Sequence, residues 1–173
     1  MSDLTVSRHF VQAALSGAER LGLDTEEMLR DAGISPDLLR IEMARVNSDQ
    51  FSSLLQIAWS RMDDEFLGMG PRRARAGTFA TMCTLVIDCP TLEAVYHRAY
   101  QFSRLFDPMA AMELDTGKQK ARLVTRMEGD IHDPNYFLRE SILVIWHRLG
   151  CWLVGRPVEL EKAEFNYPRP VHG

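Results

Sequence analysis

The sequence predicts an α+β fold: an N-terminal helical lobe followed by an antiparallel sheet packed against long helices. Three observations carry this. Apolar residues recur at steps of three and four from Val6 to Met62, the spacing of helices with one buried face. After Met109 the period changes, and two short apolar runs flank Asp115-Thr116-Gly117-Lys118, where glycine can take the positive φ of a tight hairpin. Finally, Pro134–Val154 is apolar around most of a helical circumference, as expected of a helix buried on more than one side. With 173 residues, and no repeat, low-complexity stretch or linker, the chain reads as a single domain over 1–173.

The elements follow in order. Val6, Phe10, Val11, Ala14, Leu15, Ala18 and Leu21 form the stripe of a first helix, with Gly22 just past its end. Asp24 or Thr25 caps a short second helix carrying Met28 and Leu29, with Glu26 and Glu27 in its first turn. Gly33 ends that helix, and Ser35-Pro36 opens another helical turn. The pair of short helices is no DNA reader, because the second offers Glu26, Glu27 and Asp31 to the phosphates. Asn47-x-x-Gln50 is a capping box, opening a helix through Phe51, Leu54, Leu55, Ala58, Trp59 and Met62. Asp63-Asp64-Glu65 reads as a loop, and Arg72, Arg73 and Arg75 as solvated residues beyond it. Thr78–Ile87 is a short, nearly wholly apolar helix. Thr91 caps the next, on which Leu92, Val95, Ala99, Phe102 and Phe106 share a face. The hairpin follows. Asp133 as N-cap and Pro134 at the first helical position open the long helix. Its Trp146 and Leu149 are expected to be buried, and Gly155 ends it. Leu160–Tyr167 reads as a third strand, stopped by Pro168.

Composition narrows the function. Net charge is −4 and the pI about 5.7, so this segment lacks the concentrated basic surface that grips DNA by itself. Cys83, Cys89 and Cys151 form no C-x-x-C pair and no even set, which points to a reducing cytoplasm. Met1–Thr5 lacks the basic, then apolar, pattern of a signal peptide. Arg139, Glu140, His147 and Arg148 interrupt the longest apolar stretch, which excludes a membrane span. No two of the five histidines have the i, i+3 or i, i+4 spacing of metal ligands on one helix. There is no phosphate-binding glycine loop, no nucleophile elbow and no carboxylate pair. The sequence therefore predicts no catalysis, no metal and no cofactor.

What remains is binding chemistry. Glu140 and His147 lie seven residues apart, on one face of a mostly apolar helix. A charged group in such a place needs a partner or a cavity. His97, Tyr100 and Arg104 offer similar groups on the Thr91–Phe106 helix. A ligand pocket has apolar walls and a few orienting polar groups. The expected site is Phe79, Met82, Tyr100, Arg104, Glu140, Trp146 and His147, between the Thr78–Ile87, Thr91–Phe106 and Pro134–Val154 helices. Its apolar excess favours an apolar or amphipathic small molecule over a sugar.

Five local patterns occur in a fixed order: Ala32-Gly33-Ile34-Ser35-Pro36-Asp37-Leu38-Leu39, Cys89-Pro90-Thr91-Leu92-Glu93-Ala94, the hairpin, Cys151-Trp152-Leu153-Val154-Gly155-Arg156, and Ala163-Glu164-Phe165-Asn166-Tyr167 before Pro168. In this order they resemble the N-terminal regulatory, arabinose-binding-like domain of AraC-family bacterial transcription regulators, from about Val6 to Pro170. The resemblance implies a cytoplasmic domain that senses a small-molecule effector, forms a homodimer and controls transcription. DNA would be reached only through a C-terminal helix-turn-helix domain absent from this chain, which is expected to be truncated before its last strands. Two alternatives stay open: a dimerisation or protein-interaction module without a small ligand, and a haem-based gas sensor built on the His97 helix. The haem family's Tyr-x-Ser-x-Arg signature is not matched, since Tyr100-Gln101-Phe102-Ser103-Arg104 has its serine one place late.

Overall fold

The structure, a computed structural model, describes residues 4–106, 110–117, 120–127 and 129–168. Its elements run β1 (Thr5–Ser7), α1 (Arg8–Arg20), α2 (Thr25–Asp31), β2 (Arg45–Asn47), α3 (Ser48–Met62), α4 (Thr78–Val86), α5 (Leu92–Phe106), β3 (Ala110–Thr116), β4 (Ala121–Met127) and α6 (Phe137–Val154). The α+β class predicted from the sequence is the one observed.

The first lobe is α1, α2 and α3 around one apolar core. Val11, Ala14, Leu15 and Ala18 of α1 meet Met28 and Leu29 of α2 and Leu54, Ala58 and Met62 of α3. Phe137, Leu138 and Ile142, the first turns of α6, complete the same core. Local chemistry fixes the helix starts. Asp24 accepts a hydrogen bond from the Glu27 amide at 2.9 Å and caps α2. Asn47 and Gln50 form both halves of the expected capping box. One element differs from expectation. Val6 is not on the first helix but in β1, opposite Val46 of β2 in an antiparallel pair. Strands of three residues are too short to show a period in sequence. Leu21 sits on the helix C-cap and is exposed.

The Asp63-Asp64-Glu65 stretch organises the chain between α3 and α4. The Asp64 carboxylate, 2% exposed, accepts from the amides of Phe66, Gly68 and Ala74 at 2.9–3.0 Å. Glu65 accepts from the amides of Gly77 and Phe79, and so caps α4. This fold-back lays Leu67-Gly68 against α1. A Cβ on Gly17 would stand 1.8 Å from the Leu67 carbonyl oxygen, so only glycine lets the two backbones touch there.

The second lobe holds α4, α5, the β3–β4 hairpin and the later turns of α6. Thr91 caps α5 through the Ala94 amide at 3.2 Å. The hairpin register pairs Met112 with Thr125, Leu114 with Leu123 and Asp115 with Arg122. Met82, Val86, Val95, Ala99 and Met112 make a small second core, against which Leu123, Trp146 and Leu149 pack.

Three expectations for the C-terminal third are corrected. The long helix begins at Phe137, not at Pro134, because Asn135 and Tyr136 take left-handed conformations (φ 57° and 59°). Asp133 still caps it from outside, accepting from the amides of Leu138 and Arg139 at 2.7 and 3.2 Å. Trp146 and Leu149 are half-buried rather than buried, since nothing among the described residues covers the outer face of α6: Val144 is 57% and Trp152 66% exposed. Leu160–Tyr167 forms no strand. Its backbone finds no ladder partner, and side chains hold it instead. No helix of the described residues is long and apolar enough to cross a membrane.

Candidate functional site

α5 packs against β3, and the helix and the hairpin border a cleft of about 510 Å³. The helix contributes Tyr96, His97 and Tyr100, β3 contributes Met112 to Asp115, and β4 contributes Arg122, Val124 and Arg126. The sequence explains the mixture. Tyr96 and Tyr100 are one helical turn apart. In the hairpin register Glu113 stands opposite Val124 and Asp115 opposite Arg122, so these residues share one face. The cleft thus sets groups of both signs beside the two tyrosines, the arrangement that positions an amphipathic ligand.

Each polar group has a defined setting. Tyr96 donates to the Trp146 carbonyl at 3.3 Å, and burial, with the Cys151 thiol beside it, pushes its pKa up. His97 stands 4.0 Å from Glu93. The Arg104 guanidinium lies 5.9 Å from the Tyr100 ring centre, within cation–π range. Arg126 lies 3.7 Å from Glu113 across the strands. Arg122 reaches out of the hairpin to Glu164 at 3.4 Å.

The seven residues expected to form the site fall into three groups. Phe79, Met82 and Trp146 meet at the α4–α6 junction: Phe79 and Trp146 are edge-on with centroids 6.1 Å apart, and Met82 is buried in the second core. Tyr100 lines the α5–hairpin cleft, and Arg104 borders it one turn further on. Glu140 and His147 face the segment that follows α6. Tyr167 donates to Glu140 at 3.0 Å and stacks on Tyr136 at 3.7 Å and 5°. His147 Nε2 is 2.8 Å from the Val158 carbonyl oxygen, and the Val158 amide donates to Cys151 Sγ at 3.3 Å. The partners that a charge on an apolar helix requires are therefore protein groups at these two positions. At the junction of the three helices Met82, Tyr96 and Trp146 pack together in the second core. A second, shallower depression of about 350 Å³ lies outside it, walled by Phe79, Val144, Ile145, Arg148, Leu149 and Trp152.

Sequence reasoning missed the hairpin's share of the cleft: Glu113, Asp115, Arg122 and Arg126. The signal that could have found them is the alternation of charge with apolar residues in Met112–Asp115. An exposed strand face gives the same alternation, so the pattern alone does not separate the two.

Comparison with known proteins agrees with the architecture. The family described as the arabinose-binding domain of AraC transcription regulator, N-terminal, matches residues 22–173. The ornithine utilization regulator of Pseudomonas aeruginosa is 22% identical over 166 residues, covering 94% of this chain and 48% of that protein. The chain thus spans about half the length of this relative. No solved structure matches. The family match takes in α2 through α6, the α5–hairpin cleft included, and this chain belongs to the family of N-terminal arabinose-binding domains of AraC transcription regulators.

Proposed function

We propose that this chain is the effector-sensing part of a cytoplasmic, homodimeric AraC-type transcription regulator. In this reading the effector is a small amphipathic molecule bound in the cleft between α5 and the hairpin. The chain performs no catalysis and meets DNA only through a separate helix-turn-helix domain. The observation that carries the reading is the cleft itself: apolar walls with tyrosines, arginines and carboxylates converging on one volume. Tyr100 and Arg104 contact the ligand. Phe79, Met82 and Trp146 act from behind, through Tyr96, by fixing where α5 sits. Glu140 and His147 act on the segment after α6. A ligand shifts the regulator between two arrangements by its different affinity for them.

Amino acids are the first compounds to test, because the cleft offers both charges and the relative's name concerns ornithine utilization. A melting-temperature screen of residues 1–173 should find a stabilising compound whose effect vanishes in Val124→Trp, which fills the cleft from the half-buried β4. A response that survives unchanged in Val124→Trp places the site elsewhere. In mobility-shift assays at physiological salt this chain alone should not bind duplex DNA at submicromolar concentration, whereas a longer regulator containing it should.

A second reading is favoured by the exposed apolar face made by the start of α4 and by α6: Phe79, Val144, Ile145 and Trp152. Monomeric proteins rarely leave such residues contiguous. Here that face joins two copies of the chain, and sedimentation should show a dimer that Trp152→Glu dissociates.

A further inference from the structure

Residues 156–168 have no helix or strand of their own, yet they are tied down at both ends of their run. Near the end of α6 the ties are the contacts of Val158 with His147 and Cys151. At Tyr167 they are the hydrogen bond to Glu140 and the stack on Tyr136. Between these points two ion pairs join the segment to the hairpin: Lys120 with Glu161, and Arg122 with Glu164. Lys162 also pairs with Glu164, at 2.7 Å. Arg122 is therefore shared. Its side chain lines the α5–hairpin cleft and holds the middle of this segment. The pair is exposed on both sides, so it is weak and exchangeable. A carboxylate in the cleft offers the guanidinium a two-pronged partner, whereas the 3.4 Å contact with Glu164 joins only one nitrogen to one oxygen.

We propose that the effector carries a carboxylate that takes Arg122 from Glu164, so that filling the cleft loosens the 156–168 segment from the hairpin. The proposal rests on the cleft being the effector site. It names the ligand class, the residue that reads it and the route by which occupancy reaches the chain beyond α6. The linkage is reciprocal: whatever holds Glu164 against Arg122 weakens the ligand, and the ligand weakens that hold. Because an exposed pair is weak, the coupling is limited to roughly two- to fivefold.

The test uses residues 1–173 and a panel of the standard L-amino acids and straight-chain monocarboxylates, each beside the amine or alcohol lacking the carboxylate. Binding is followed by melting temperature, and loosening by amide hydrogen exchange of residues 158–168. A panel carboxylate should stabilise the wild type and speed exchange in this segment two- to fivefold. Its counterpart should bind at least tenfold more weakly. Glu164→Gln should exchange faster without ligand and bind the same carboxylate two- to fivefold more tightly. Binding that leaves the segment's exchange unchanged, or that Glu164→Gln does not tighten, overturns the proposal and leaves the effector cleft standing. Equal binding of carboxylate and counterpart also overturns it. If only uncharged compounds such as sugars stabilise the protein, and Val124→Trp abolishes their effect, the carboxylate inference is wrong and the cleft reading holds. If no small molecule stabilises the wild type, both are wrong.

Discussion

The two halves of this molecule are finished to different degrees. In the lobe of α1, α2 and α3 the helix starts of α2 and α3 are capped by side chains. The buried carboxylate of Asp64 has three amide partners. The apolar side chains close on one another from Val11 to Met69. In the lobe of α4, α5 and the hairpin the core is five residues and their half-buried neighbours. Leu85, Ile87, Val144 and Trp152 are left to solvent. α6 belongs to both: Phe137, Leu138 and Ile142 are buried in the first core, while Trp146, Leu149 and Leu153 are half-buried against the second and Val144, Ile145 and Trp152 are exposed. Parts that move or bind come from regions with few buried contacts. The difference fits the proposed reading, in which the first lobe is scaffold and the second binds the effector.

The strongest way to break that division is to attack the scaffold where it depends on one group. Asp64→Ala deletes a carboxylate bonded to three backbone amides and leaves them without acceptors. The expected loss is roughly 3–5 kcal/mol, because bonds to a charged group count for about 1.5–3 each and are not additive. Urea unfolding followed by circular dichroism measures it. A loss below about 1 kcal/mol would mean that the 63–77 fold-back is not part of the scaffold, since such a value is usual for surface changes.

A matched pair sharpens the comparison. Leu54 is fully buried in the first lobe, and Leu149 is half-buried against the second core. Leu54→Ala should cost about 2–5 kcal/mol, as for other large-to-small core changes, and Leu149→Ala roughly half as much, because solvent already reaches its site. Equal losses would show that α6 is covered in solution as fully as α3 is.

How much of this was legible in the sequence follows the same line. The first lobe was read nearly element by element, because its signals are local. Asp24, Asn47 with Gln50, and Gly33 each act within four residues. The exception was the β1–β2 pair, whose partners are forty residues apart and too short to alternate. Asp64 was read as loop because its value lies in amides up to ten residues away. In the second lobe the sequence marked residues that need partners without naming the partners. Glu140 and His147 were correctly seen to need company on an apolar helix. That the company is Tyr167 and Val158 depends on a segment without periodicity. Leu160–Tyr167 looked like a strand because its aromatic and branched residues suit one, but a strand needs a free edge in reach. The cleft was half visible: Tyr100 and Arg104 sit on a strong helical pattern, whereas Arg122 and Glu113 look like the solvated face of any hairpin.

The segment after α6 gives a smaller and pH-dependent effect. Burial first, then the bond to Glu140, pushes the Tyr167 pKa well above its ordinary value. The neutral phenol is the form the fold prefers, so its contribution is complete below the ordinary tyrosine value of about 10 and is lost as pH rises through the folded one. Glu164 is displaced the other way, chiefly by its hydrogen bond and charge contact with Lys162, with Arg122 adding. Its contribution is present above the ordinary carboxylate range and fades as pH falls through the lowered value. Docking of 156–168 should thus be tightest between these limits. Tyr167→Phe should cost about 0.5–1.5 kcal/mol, the net worth of one hydrogen bond. It should also delete the highest-pH phase of the tyrosinate absorbance titration. An unchanged titration curve would assign that phase to another tyrosine.

The smallest expected change in stability is the one that best tests what the open face is for. Trp152 is 66% exposed, and its neighbours Val144 and Ile145 are exposed with it, so a monomer gains little from them. Trp152→Glu should alter the unfolding free energy of the isolated chain by no more than about 0.5 kcal/mol, as for other surface changes. If the face joins two copies, the same substitution places a carboxylate in an apolar interface, where an unpaired charge is costly. Sedimentation should then shift from dimer to monomer while the far-ultraviolet spectrum stays the same. The wild type should also melt at a temperature that depends on protein concentration, and the variant should not, because association stabilises by mass action. A wild type that is monomeric at all concentrations, with no dependence of melting on them, would remove the dimer reading. The α5–hairpin cleft would be untouched by that result, because none of its lining residues belongs to this face.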